Sequence, residues 1–259
     1  MTTSLAVVAF AALMALQGSA AELAARLSGP DLVTRVQAAN RFEPLLKDQP
    51  EVLGDRAVQD SLIAALETEN ALIVKNWNAV TTGQKPLFEE GYGEHYSRIL
   101  RWANGIRAES DLTGGRRVRL LRALVLASYN GDSPFAKDLA SEGEDIVPYV
   151  LEVVRSPIGP NRWNGLDLIG LLFARADART LKRPLTANTR ELLRSNAREG
   201  LQDPAPDVRR HAVQAVVQAN DTAAIPLLRY MAEKDVDAKG KWSVRALAAE
   251  GVTRLQQSR

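Results

Sequence analysis

Residues Glu89-Glu90-Gly91-Tyr92-Gly93-Glu94-His95-Tyr96 bring three carboxylates, an imidazole and two phenols into one short stretch. General acid–base hydrolysis needs such groups, with one carboxyl kept protonated by burial and another ionised nearby. The same run, broken by two glycines, also reads as a solvated loop. A hydrolase using the carboxylates of 89–94 therefore stands as an alternative and not as the leading reading. His95 and His211 are the only histidines. Neither opens an H-E-x-x-H pattern, and no second ligand lies at zinc spacing. His95 reads as a residue packed at a helix surface. His211, between Arg210 and Ala212, reads as a surface residue. No serine sits in a G-x-S-x-G elbow, and no G-x-x-x-x-G-K-[ST] loop occurs. The absence of cysteine removes disulfides, thiolate metal sites and cysteine nucleophiles. The expectation is a non-enzyme with no metal and no cofactor.

Two arginine stripes are the next candidates. Arg116, Arg117, Arg119 and Arg122 lie on one helix, and Arg190, Arg194 and Arg198 recur at i+4 spacing on another. Such a stripe can track a phosphate backbone. Glu191 and Glu199 interleave the second stripe, however, and 33 basic residues are balanced by 31 acidic ones. A solvated face with i, i+4 pairs accounts for that pattern, so nucleic-acid binding is not expected of an exported chain. Aromatic residues, only 5% of the chain, concentrate between Asn70 and Gly115. Tyrosine and tryptophan bury large area at little entropic cost, which makes Trp77, Phe88, Tyr92 and Tyr96 the candidate partner-binding residues. Trp102, at helical spacing with Ile99 and Ile106, reads as core.

The elements that would carry these residues are helices. Leu32, Val36, Ala39, Phe42 and Leu46 form one apolar stripe, and a second helix is expected from about Leu53 to Glu67. Helices also follow over Glu94–Ile106, Arg116–Tyr129 and Thr186–Glu199, with one started by Pro134 after Asn130-Gly131-Asp132-Ser133. From Leu201 the signal is clearest. Val208, Ala212, Ala215, Val216 and Ala219 mark one helix, Ile225, Leu228, Met231 and Ala232 a second, and Val244, Ala248, Gly251, Val252 and Leu255 a third. Short helices with one narrow stripe must be covered by neighbours.

The first 21 residues stand apart. Leu5 to Leu16 is uninterrupted apolar sequence, followed by Gly18-Ser19-Ala20-Ala21. This matches the h-region and small-residue cleavage site of a secretory signal peptide, although no Lys or Arg precedes it. The alternative is an N-terminal core helix. No later run approaches the ~20 apolar residues of a membrane span. The mature chain is thus expected to be secreted or periplasmic.

Internal repetition ties the elements together. Leu27, Pro30, Arg35 and Ala38 share the mutual spacing of Leu201, Pro204, Arg209 and Ala212, and Val154, Pro157, Arg162 and Gly165 repeat it. Arg245, Ala248 and Val252 match Arg209, Ala212 and Val216. On Leu201-Gln202-Asp203-Pro204-Ala205-Pro206-Asp207-Val208-Arg209-Arg210, with Ala212, Ala215, Ala224-Ile225-Pro226-Leu227-Leu228 and Val244-Arg245, the chain resembles HEAT repeats. The resemblance is to the short HEAT-like variety named after phycobilisome lyases. It spans Leu201–Leu255 well and Leu27–Leu66 and Ile146–Phe173 less closely. It implies an all-α, right-handed alpha-alpha superhelix, a HEAT-like or armadillo-type solenoid, in which the arginine and the turn aspartate stabilise adjacent repeats. Arg35, Arg162, Arg209 and Arg245 are then structural repeat positions. Gly165 in place of alanine, Val33 in place of an acid and the longer loop over 236–241 depart from the pattern. The expected organisation is a signal peptide over 1–21 and one repeat domain over 22–259, with an irregular aromatic-rich segment over 70–115. The expected role is a non-catalytic scaffold for an unknown protein partner.

Overall fold

A computed structural model of the protein describes residues 20–81, 92–109, 112–127 and 134–257. The apolar run over 5–16, Phe88, Glu89, Glu90 and the turn over 130–133 lie outside the described residues. Among the described residues the secondary structure is entirely helical, with no strand. The chain divides into two compact units at Ala127 and Ser128, where the sequence predicted one repeat domain.

The first unit begins with α1, residues 20–25, and a 3-10 turn, Arg26–Ser28. Helix α2, Leu32–Asp48, starts where the Asp31 carboxylate accepts the amide hydrogen of Thr34 at 2.8 Å, an N-cap that satisfies a donor the helix cannot. After a second 3-10 turn, Pro50–Gly54, come α3, Arg56–Thr81, α4, Tyr92–Glu109, and α5, Gly114–Ala127. Helix α3 starts later than the expected second helix and runs well past Glu67. Residues 70–81 and 92–109 are regular helix, not the irregular segment the sequence suggested. Helix α4 packs on α2, α3 and α5, and α3 also packs on α5. Phe42 of α2 meets Trp102 of α4 edge to face, with ring centroids 5.1 Å apart, and Ile99 and Ile106 are fully buried beside it. Trp102 is core, as its spacing predicted.

The second unit runs from α6, Pro134–Ala140, through a 3-10 turn at Gly143–Ile146 to α7, Val147–Val154, and α8, Gly159–Asp177. Then come α9, Ala187–Gly200, α10, Pro206–Gln218, α11, Ile225–Lys234, and α12, Val244–Gln257. Prolines in the first turn open α7, α8, α10 and α11, where a missing N–H costs nothing. Consecutive helices pair, α7 with α8, α9 with α10 and α11 with α12. The second member of each pair also packs on the next, α8 on α10 and α10 on α12, while α7 packs on α9. Fully buried Leu168, Ile169, Leu172, Leu193, Val216, Leu228 and Ala248 fill the space between them.

Two glycines are fixed by close approach. A Cβ on Gly165 of α8 would lie 2.5 Å from Val154 Cγ1 and 3.0 Å from the Val154 backbone nitrogen, so its lack of a side chain sets how near α7 and α8 come. Gly143 has φ +66°, and a Cβ there would meet the Arg183 carbonyl oxygen at 2.0 Å. No described helix is long and apolar enough to cross a membrane.

Candidate functional site

The repeat arginines act at the joints between helix pairs. Arg162, at the start of α8, donates from Nε and Nη2 to both oxygens of Asp203 at 2.7 and 3.0 Å. Its Nη1 donates to the carbonyls of Ser156 and Pro157, in the turn before its own helix. Arg209, at the same place in α10, repeats this with both oxygens of Asp235 at 2.8 Å and with the carbonyls of Asp203 and Pro204. A planar guanidinium suits this task because its fork meets a carboxylate in two parallel bonds while a further N–H remains free. Each aspartate also holds its own turn, Asp203 through the amide of Ala205 and Asp235 through that of Asp237. Burial alone would raise the Asp235 pKa, but the hydrogen bonds from Arg209 and Asp237 and the charges of Arg209 and Arg245 hold it below 3.8. Arg245 of α12 donates to the Asp235 carbonyl at 2.6 Å. Arg35 differs: its Nη1 donates to the Gly29 carbonyl, but its carboxylate partner is Glu69 of α3 and not a turn aspartate.

Glu69 centres a buried charged cluster in the first unit. Its side chain is 0% exposed, with Arg35 Nε at 2.7 Å and His95 Nε2 at 3.0 Å from the same oxygen. His95 is thus interior to the helix bundle, not at a helix surface. Its ring donates from Nε2, and Nδ1 is buried without a hydrogen-bond partner. Burial on its own would raise the Glu69 pKa. Hydrogen bonds from His95 and Tyr92, with the charges of Arg35 and His95, outweigh that and hold the carboxyl below its ordinary 4.5. Beside it, the Tyr96 hydroxyl donates toward Asn70 Oδ1 at 3.2 Å and the Ala127 carbonyl at 3.3 Å, while Asn70 Nδ2 donates to the Ala123 carbonyl at 2.9 Å. The cluster is closed to solvent and ties α2, α3 and α4 together through Arg35, Glu69 and His95.

Three of the four aromatic residues singled out for a partner lie among the described residues. Tyr92 and Tyr96 stack on each other, ring centroids 6.2 Å apart, and both are buried. Trp77, on α3, is half-buried. Phe88 lies outside the described residues. Of the carboxylates, Glu94 is exposed and pairs with Arg98 one turn along α4. The arginine stripes are largely committed within the protein. Arg194 donates to the Ala219 carbonyl at the end of α10 and lies over the Phe173 ring at 5.3 Å. Arg198 pairs with Asp221 and Glu191. Arg116 pairs with Asp60 at 2.8 Å and Arg119 with Glu67 at 2.6 Å.

Sequence reasoning missed a half-exposed constellation across α8 and α10. His211 Nδ1 lies 2.6 Å from Asp167 Oδ1, so the ring donates there and Nε2 remains as its other polar atom. Trp163 stacks on the imidazole, ring centroids 5.7 Å apart and planes 24° from parallel. The spacing of Trp163 and Asp167 at i, i+4 on α8 was the available signal, but their partner is 44 residues from Asp167 in the chain. An indole held flat by a carboxylate-anchored imidazole is a preorganised contact surface with one polar edge. Among the described residues, no group of three or more His, Asp or Glu is placed to hold a metal ion. No protein-family model matches the chain, and the search of curated proteins found none similar to it.

Proposed function

We propose that the protein is a non-catalytic scaffold of the HEAT-like kind, an α-solenoid exported to the periplasm or beyond the cell that binds a protein partner on a helical face. The observation that carries this reading is the repeated joint, Arg162 with Asp203 and Arg209 with Asp235, which fixes successive helix pairs in one register. Charges spent on such joints hold a surface rigid and do no acid–base work. A rigid face that carries a half-exposed, stacked tryptophan has the composition of an interface centre. Trp163 with His211, between α8 and α10, is that centre. Exposed Tyr230, Val236 and Trp242, with Lys241 Nζ 5.5 Å from the Trp242 ring, add apolar surface near the loop between α11 and α12.

The test is affinity capture from the organism's envelope fraction with the intact chain, set against Trp163→Ala and an exposed control, Gln214→Ala. A protein retained by the wild type and the control, and lost by at least about tenfold with Trp163→Ala, supports this face. Equal recovery on all three removes it. Intact mass of the protein from fractionated cells tests export. A chain beginning at Ala21 or Glu22 outside the cytoplasm supports it, and a full-length cytoplasmic chain refutes it.

A further inference from the structure

The loop between α11 and α12 is longer than its joint needs. Arg209 reaches the Asp203 carbonyl six residues back, whereas Arg245 reaches the Asp235 carbonyl ten residues back. The added residues form a closed bulge. Asp237 pins its base, accepting the Val244 amide on Oδ2 at 3.0 Å and the Arg245 amide on its own carbonyl at 3.3 Å. The Ser243 amide donates to the Gly240 carbonyl at 3.2 Å, and Gly240, at φ +82°, makes the turn. Ala238, Lys239, Gly240, Lys241 and Trp242 are all exposed. Val236 is 87% exposed and Trp242 63%, so the bulge turns its two large apolar side chains to solvent and not to the core. The charges are sorted in the same way. Lys234, Lys239 and Lys241 are exposed, and none forms an ion pair among the described residues. Lys241 Nζ lies 5.5 Å from the centre of the Trp242 ring. Of the three acids between Tyr230 and Trp242, two are turned inward: Asp235 takes Arg209 on both oxygens, and Asp237 takes Arg210 Nε at 3.1 Å. Glu233 alone is left exposed beside the lysines.

We propose that this bulge docks the protein on the surface of an anionic phospholipid membrane. Trp242 and Val236 enter the headgroup layer, where an amphipathic ring is stable, and the lysine ammonium groups reach the lipid phosphates while their stems lie along the apolar groups. Each lysine near such a surface strengthens binding by about fivefold. A protein partner fits this loop less well, because protein interfaces favour arginine and are depleted in lysine. Tyr230, exposed on α11 one turn before Lys234, extends the aromatic rim. No described helix is long and apolar enough to cross a membrane, so the contact is with one surface of it. The inference takes the loop and not the Trp163 centre, so either reading can fail without the other.

Co-sedimentation of the full chain with sucrose-loaded vesicles tests the proposal, phosphatidylcholine alone being set against an equal mixture with phosphatidylglycerol. Retention is expected on the anionic vesicles, falling as salt is added, with little on the neutral ones. Lys239→Gln and Lys241→Gln together are expected to weaken it by on the order of twentyfold. Val236→Ser and Trp242→Ala each weaken it as well. Lys47→Gln, an exposed lysine of the first unit, removes the same charge and is expected to change nothing. All these side chains are exposed, so each variant should keep the helical circular dichroism spectrum and unfolding midpoint of the wild type. Equal retention on neutral vesicles, which insertion of the uncharged run over 5–16 would give, overturns the proposal. So does retention that the loop variants leave unchanged, or that Lys47→Gln lowers as much as they do. A single-stranded oligonucleotide bound as tightly, and lost with the same two lysines, would assign the loop to nucleic-acid phosphates and overturn it too.

Discussion

Glu69 shows how far one buried charge depends on partners brought from elsewhere in the chain. Its depressed pKa links it to acid stability. Because the folded value lies below the ordinary 4.5, its contribution is full above that pH and is lost as pH falls through the folded value. Glu69→Gln keeps the shape but leaves the Arg35 guanidinium buried without a counter-charge. The expected loss at neutral pH is about 3–5 kcal/mol in urea unfolding, with little further loss on acidification, whereas the wild type loses stability below pH 4.5. A variant as stable as the wild type at neutral pH would mean that the cluster opens to water. None of this was legible in the sequence. Glu69 sits among Thr68 and Asn70, a polar run that reads as the end of a helix, and the residues that satisfy it lie on α2 and α4. The joint arginines were legible because their environment is mostly local: Arg209 reads the carbonyls of Asp203 and Pro204, six and five residues back, so its spacing repeats with the turn.

At the scale of elements, the sequence predicted helix starts better than helix lengths. Asp31, Thr186 and the first-turn prolines act through neighbours a few positions away and so leave a readable mark. The extension of α3 to Thr81 left none, because Asn70 is stabilised inside it by Ala123 and Tyr96, 53 and 26 residues distant. Gly165 is a further case. On propensity alone it is a defect worth about 1 kcal/mol against alanine. In the packed pair of α7 and α8 it is the residue that fits. Gly165→Ala is expected to destabilise by about 1–3 kcal/mol despite the better helix former, because the new methyl meets the Val154 backbone as well as its side chain. Thermal unfolding of the variant measures this, and a rise in midpoint would show that α7 shifts freely. Gly170→Ala is the comparison: its nearest neighbour is the end of the Gln218 side chain, which can swing away, so a smaller effect is expected.

For the whole molecule, each unit holds its own buried core and its own polar anchor, Glu69 in one and the Arg162 and Arg209 joints in the other. Residues 128–259 expressed alone are therefore expected to fold, with a helical circular dichroism spectrum and one cooperative thermal transition. A fragment that is unstructured or melts without cooperativity would show that the second unit depends on the first. The joints have one more consequence. Arg162 reaches an aspartate 41 residues on, and Arg209 reaches one only 26 residues on, yet the two fastenings are alike atom for atom. What is kept constant is the clasp and not the length of chain between clasps. Growth by insertion can thus accumulate between one clasp and the next, leaving the spacing of the helix pairs as it was and giving selection a place to build new surface without rebuilding the frame.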